Sequence, residues 1–186
     1  MVAPIIWFGI GIIVVIALVF IYYYNKIVIR AKRIDNAFSQ IDVQLKKRAD
    51  LVPNLVSTVK GYMKHEREIM DTITKTRAQM ISGSMKDRLN ANNKFTQALK
   101  SIFAIAENYP DLKASENFKL LQEQLEGIEN KIAFSRQFYN DAIMDFNITV
   151  TTVPGKWFAS LFGIGKKEME YLEIEAGERK TPKVEF

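Results

Sequence analysis

Residues Val2 to Tyr24 contain no charged side chain and are mostly apolar. The run is longer than the roughly 20 residues a helix needs to cross about 30 Å of hydrocarbon at 1.5 Å per residue. It constrains the fold more than any other stretch, because whatever follows has to hang from it. Trp7 and Phe8 near one end, and Tyr22, Tyr23 and Tyr24 at the other, are placed where aromatic rings favour the headgroup level. Pro4 suits a first helical turn, where its missing N–H has no partner to lose.

A cleaved signal peptide fits less well. No Lys or Arg precedes the run, it exceeds the usual apolar core of about 7–15 residues, and tyrosines stand where small residues would mark cleavage. The chain has no cysteine, which excludes a lipid-modified anchor and disulfides. A buried core helix is disfavoured because polar residues are missing from every face.

Lys26, Arg30, Lys32 and Arg33 follow the run, with no acid before Asp35. They account for most of the net charge of +5, so the chain beyond them is close to neutral. A basic stripe for nucleic acid is therefore not expected. Contact with lipid headgroups is, and basic residues beside a span predict an N-terminus outside and the bulk of the chain in the cytoplasm, at the cell membrane.

Beyond the run, Ile27, Ala31, Ile34, Phe38, Ile41, Leu45, Ala49 and Val52 recur three or four residues apart, the pattern of a helix with one buried face. No breaker separates them from the apolar run, so one rod of about 70 Å is expected from Pro4 to Ala49. At Asp50-Leu51-Val52-Pro53 a tight reversal is preferred, because the residue before proline avoids helical dihedrals. A continuous helix is the alternative, since Leu55, Val59, Tyr62, Ile69, Ile73 and Met80 keep the phase.

Ser82-Gly83-Ser84 predicts a loop. A third helix should bury Leu89, Phe95, Leu99, Ile102, Phe103 and Ala106 and stop by Tyr109-Pro110-Asp111. Ser115 or Asp111 is expected to cap a last helix, with Phe118, Leu121, Leu125, Ile128, Ile132, Tyr139, Ala142 and Phe146 on its buried face. Thr149 to Pro154 should close it.

The fold class predicted is all-α: a single transmembrane helix continuous with the first helix of an antiparallel up-and-down four-helix bundle of coiled-coil-like seams. The expected divisions are an anchor over 1–25, the bundle over 26–153, an aromatic interfacial or docking segment over 154–165, and a charged, solvated tail over 166–186.

Three blocks resemble the LemA family of bacterial membrane-anchored proteins. They are Ile41 to Arg48 with Asp50 to Val56, Thr58 to Tyr62 and Lys64 to Glu66; Phe103 to Ala114; and Glu129 to Ala133 with Arg136 to Ala142. The resemblance covers about 1–165 and fades in the Lys/Glu tail beyond Ile164. It implies a helical bundle on one N-terminal span, an N-terminus outside, and no established activity or catalytic residue. It also points toward membrane metalloproteases as neighbours, and through them toward membrane-protein quality control.

The residues offer little chemistry. A single histidine, His65, sits in the charged run Lys64 to Glu68 and reads as part of a solvated helix face. One His and no Cys cannot supply a usual zinc set, a nucleophilic triad, or the paired Glu-x-x-His of a di-iron bundle. Glu123, Glu126 and Glu129 beside Lys131 read as a surface ion-pair stripe. No cofactor and no catalytic or metal-ligating residue is expected.

Asn54, Asn140 and Asp141 are candidates for partner docking, with capping or core hydrogen bonding as the plainer role, and Trp157, Phe158 and Phe162 are candidates for docking or interfacial contact. The function expected is a non-enzymatic scaffold or adaptor that self-associates and binds membrane lipids and membrane proteins, a membrane protease among them. Its alternatives are a carboxylate-dependent hydrolase at the membrane surface and an anionic-lipid sensor.

Overall fold

The computed structural model describes residues 2–62, 67–164, 169, 171 and 172. Every regular element among them is helical. In order these are α1 (Val2–Lys60), α2 (Arg67–Met80), α3 (Met85–Ala106), α4 (Pro110–Ala114), α5 (Glu116–Thr151) and α6 (Gly155–Leu161).

The structure divides into two compact units, Met1–Ala37 with Gln137–Phe186, and Phe38–Arg136. Each has its own core. In the first, Ile27, Ile34 and Ala37 of α1 pack with Ala142, Ile143, Phe146 and Val150 of α5 and with Ala159 of α6. In the second, Ala49, Val52, Leu55 and Val59 of α1 pack with Met70, Ile73 and Met80 of α2, with Phe95, Leu99 and Ile102 of α3, and with Phe118 and Leu125 of α5. The buried faces predicted from spacing are the ones used. Phe38 and Tyr62 are the exceptions at 37% and 41% exposure, and Ala37 takes the buried position beside Phe38.

Residues 50–53 do not form a reversal. Helix α1 passes through Pro53 and continues to Lys60. Proline at this position cannot donate to the carbonyl four residues back, that of Ala49. Arg77 of α2 donates its Nε–H to that carbonyl at 3.1 Å, so the acceptor that proline strands is satisfied from another helix. With Val52, Leu55 and Val59 all buried in phase, continuing the helix keeps three core residues that a turn would remove. Asp50, which would cap a new helix after such a reversal, is exposed in the interior of α1.

The loop between α2 and α3 falls where Gly83 and Ser84 place it. Gly83 adopts φ 90°, in the left-handed region that favours glycine. Ser84 then caps α3 through a capping box, its hydroxyl accepting from the Asp87 N–H while the Asp87 carboxylate accepts from the Ser84 N–H. Arg88 ties the same corner, donating Nε–H to the last carbonyl of α2, Met80, at 2.9 Å, and pairing with Asp42 through its terminal nitrogen.

Pro110 starts the short helix α4, so Asp111 lies in the first turn of α4 and not at the head of α5. Ser115 directly precedes α5, and its carbonyl accepts from the Lys119 N–H.

Candidate functional site

An 18-residue window in the N-terminal part of α1 reaches a mean hydropathy of 2.6, and none of it is buried within the protein. Trp7 and Phe8 are each 72% exposed, and Tyr22 and Tyr24 are exposed as well. Aliphatic surface of this extent, uncovered along more than four helical turns, is what a bilayer would cover.

At the C-terminal end of that run, α6 closes an aromatic cluster onto α1. The Phe158 ring stacks on Tyr23, with centroids 4.8 Å apart and planes 2° from parallel. Phe162 meets Phe20 and Tyr24 edge-on at 4.8 and 5.1 Å. Phe158 and Phe162 lie four residues apart, hence on one face of a helix. Trp157 and Leu161, also four apart, remain 65% and 70% exposed. The aromatic segment therefore both packs on α1 and presents a second apolar face. Gly163 ends α6 at φ 67°, and the following Ile164 N–H returns to the Ala159 carbonyl at 3.0 Å.

The basic residues below the cluster are partly engaged. The Lys26 ammonium stands 5.7 and 5.8 Å from the ring centroids of Tyr22 and Tyr23. Arg30 hydrogen-bonds Asp145 of α5, and Arg33 approaches the same carboxylate at 3.5 Å. Lys32 pairs with Asp35 on the exposed surface.

Of the polar docking candidates, Asn54 is exposed on α1, where its backbone carbonyl accepts from Ser57, and Asp141 is exposed on α5. Asn140 is half-buried and exchanges two hydrogen bonds with the backbone of Leu172, which the reading of the sequence did not anticipate. His65 lies outside the described residues.

The side chains that composition most nearly concealed are in the second unit. Arg48 is almost fully buried, and one of its terminal nitrogens serves Asn92 and Thr96 of α3 and Glu129 of α5. Its guanidinium carbon lies 4.9 Å from the Phe95 ring centroid. Burial pushes the Arg48 guanidinium down to about 10, against the opposing pull of Glu129. Glu129 is thus a partner of a buried cation and does not belong to a surface stripe with Glu123 and Glu126.

A signal for this site existed. Arg48 falls on the same three-and-four spacing as Ile41, Leu45, Val52 and Leu55, and Asn92 on that of Phe95, Leu99 and Ile102. A charge at an apolar position of a helix seam marks a buried polar centre.

Beside this centre an open groove of roughly 570 Å³ runs between α1 and α5, lined by Gln44, Lys47, Asp50, Glu123 and Lys131 among others. Gln44 Oε1 and Arg48 Nε are buried without a hydrogen-bond partner among the described residues. Among those residues, no group of three or more His, Asp or Glu side chains is disposed to hold a metal ion.

A long unburied apolar helix, an aromatic cluster at its end and helical cores beyond it define a membrane-associated all-α protein. The LemA family pattern matches residues 37–186. The chain belongs to the LemA family. The match takes in the tail beyond Ile164, where the resemblance was expected to fade, and does not take in residues 1–36, which it was expected to cover.

The chain is also similar to proteins named magnetosome protein MamQ. Two are from Paramagnetospirillum magneticum, each 24% identical over 177 residues, covering 81% of this chain and 64% of theirs. A third is from Magnetospirillum gryphiswaldense, 24% identical over 183 residues, covering 83% of this chain and 66% of its own. The chain thus spans somewhat less than two thirds of these relatives' length.

Proposed function

We propose that the chain is a non-enzymatic, membrane-anchored scaffold or adaptor. In this reading α1 crosses the plasma membrane once with its N-terminus outside, and the remaining helices form an antiparallel up-and-down bundle in the cytoplasm. The bundle self-associates and binds membrane proteins, a membrane protease among them, in the service of membrane-protein quality control. The observation that carries the proposal is the 18-residue apolar window of α1, no residue of which is buried within the protein.

The aromatic cluster supports the placement. Phe20, Tyr23, Tyr24, Phe158 and Phe162 gather where the apolar run ends, at the level that amphipathic rings prefer. In that position Trp157 and Leu161 reach into the acyl boundary, Lys156 and Lys26 face headgroups, and α6 is an interfacial helix beside the span. Orientation rests on Lys26, Arg30, Lys32 and Arg33 following the span directly.

Mild detergent extraction of the full chain, followed by sizing and cross-linking in intact cells, tests the proposal. A complex much larger than 21.4 kDa is the expected result. Recovery as a monomer that cross-links to nothing would overturn the scaffold reading. A protease-accessible C-terminal tag on intact cells would overturn the orientation.

A further inference from the structure

Asn140 and Asn147 stand seven residues apart on α5, two turns of helix, and treat another stretch of backbone identically. The Asn147 side-chain amide donates to the Met169 carbonyl at 3.0 Å and accepts from the Met169 N–H at 3.0 Å. The Asn140 amide donates to the Leu172 carbonyl at 3.1 Å and accepts from the Leu172 N–H at 2.9 Å. Each asparagine therefore offers one amide group to one residue, using both its donor and its acceptor, as a neighbouring strand would.

The spacing selects a conformation. Seven helical residues rise about 10.5 Å, and three residues of chain reach at most about 10–11 Å. A polypeptide that meets both asparagines with residues three apart has to be close to fully extended. Because Met169 pairs with Asn147 and Leu172 with Asn140, the segment runs opposite to α5.

The asparagines bond only main-chain atoms of the tail, and Leu172 is half-buried. Met169 and Tyr171 are 39% and 48% exposed, while the atoms held are main-chain N–H and C=O. The site itself is built: Asn147 is 6% exposed, and Asn140 is half-buried beside Tyr139, which belongs to the edge of the first unit's core.

We propose that Asn140 and Asn147 form a backbone-reading site for extended polypeptide, and that the tail of the chain, through Met169 and Leu172, is its resident, displaceable ligand. The ligand class is an extended segment with non-proline residues at two positions three apart. The four hydrogen bonds exchange against bonds to water and are individually of modest net worth. Occupancy by the tail depends on its tether, which holds it near the site at high effective concentration. A free segment of the same chemistry competes for the same four bonds.

The test uses the full chain in detergent micelles and a fluorescein-labelled peptide of residues 167–176, followed by anisotropy. Leu172→Pro removes the N–H that Asn140 accepts and leaves both asparagines in place, so it should free the site and tighten peptide binding at least about tenfold over wild type. Asn147→Asp in the Leu172→Pro background should abolish binding, since a carboxylate cannot donate. A peptide carrying proline at 169 and 172 should fail on every protein, a control that leaves the fold untouched. Slow hydrogen exchange at the Met169 and Leu172 amides of wild type is expected alongside. No saturable binding to the Leu172→Pro chain would overturn the proposal, as would equal affinity for wild type and Leu172→Pro, binding that survives Asn147→Asp or the proline peptide, or unprotected amides in wild type.

Discussion

Arg77 donates to the carbonyl of Ala49, the one main-chain acceptor that Pro53 leaves without its helical donor. The pairing explains how a proline sits inside a 59-residue helix, and it couples α2 to α1 at a position where neither helix alone shows a need.

It follows that Arg77→Met should cost about 1–2 kcal/mol in a chain with Pro53, where the Ala49 carbonyl would be stranded. In a Pro53→Ala background the helix supplies its own N–H, and the same change should cost markedly less. Urea unfolding of the four proteins in the cycle, with a coupling of at least about 0.5 kcal/mol, is the expected outcome. Strict additivity would mean that Arg77 does not serve the proline.

The buried Arg48 makes a second, asymmetric prediction. Glu129→Ala removes the counter-charge and leaves a desolvated guanidinium, so it should destabilise by about 1–3 kcal/mol. Arg48→Met removes the charge with its stem retained, and combined with Glu129→Gln it should be milder than Glu129→Ala alone. The sign with pH agrees. Because the Arg48 guanidinium is lowered to about 10 in the folded chain, the folded state releases its proton first, and Arg48's unfavourable contribution is relieved only as pH rises above about 10. At neutral pH that contribution stands undiminished, and thermal melts of the variants at pH 7 will read it.

Gly155 approaches the end of α5 so closely that a Cβ would lie 2.0 Å from the Thr149 carbonyl oxygen, which is backbone and cannot swing aside. Gly155→Ala should displace α6 and cost about 1–3 kcal/mol. Loss of the Phe158–Tyr23 stack should change the fluorescence of neighbouring Trp157. An unchanged melt and spectrum would place α6 elsewhere.

Asp87 offers a pH test at the α2–α3 corner. Hydrogen bonds from the Ser84 side chain and backbone hold its carboxyl below the usual carboxylate range. The depressed value means that the stabilisation is present above the unfolded chain's carboxylate range and is lost as pH falls through the folded value. Ser84→Ala should return the Asp87 titration toward the ordinary range in a carboxyl carbon NMR experiment. The stability gap between variant and wild type should narrow in acid.

Much of the helical layout was legible because seams of Ile, Leu, Val and Phe at three-and-four spacing leave one face that water disfavours, whatever the partner. Hence α3 and α5 emerged with their buried faces close to complete, and Gly83-Ser84 with its loop. Pro53 was misread for a definite reason. A local rule about proline was applied where Arg77, remote in sequence, removes the penalty the rule describes. The buried centre was passed over because Arg48 and Glu129 look like surface charges until Asn92 and Thr96 of another helix are seen to meet them. Asn140 was noticed but its companion Asn147 was not, since nothing in the spacing of two asparagines announces the tail that lies across them.

By itself the sequence determined the elements and the membrane-length helix, because both depend on periodicity and length, properties of consecutive residues. Which polar groups find partners was decided by tertiary structure alone. A hydrogen bond between Arg77 and Ala49, or between Asn147 and Met169, joins residues separated by loops and whole helical turns, and its worth depends on angstrom-scale placement that only the packed chain provides.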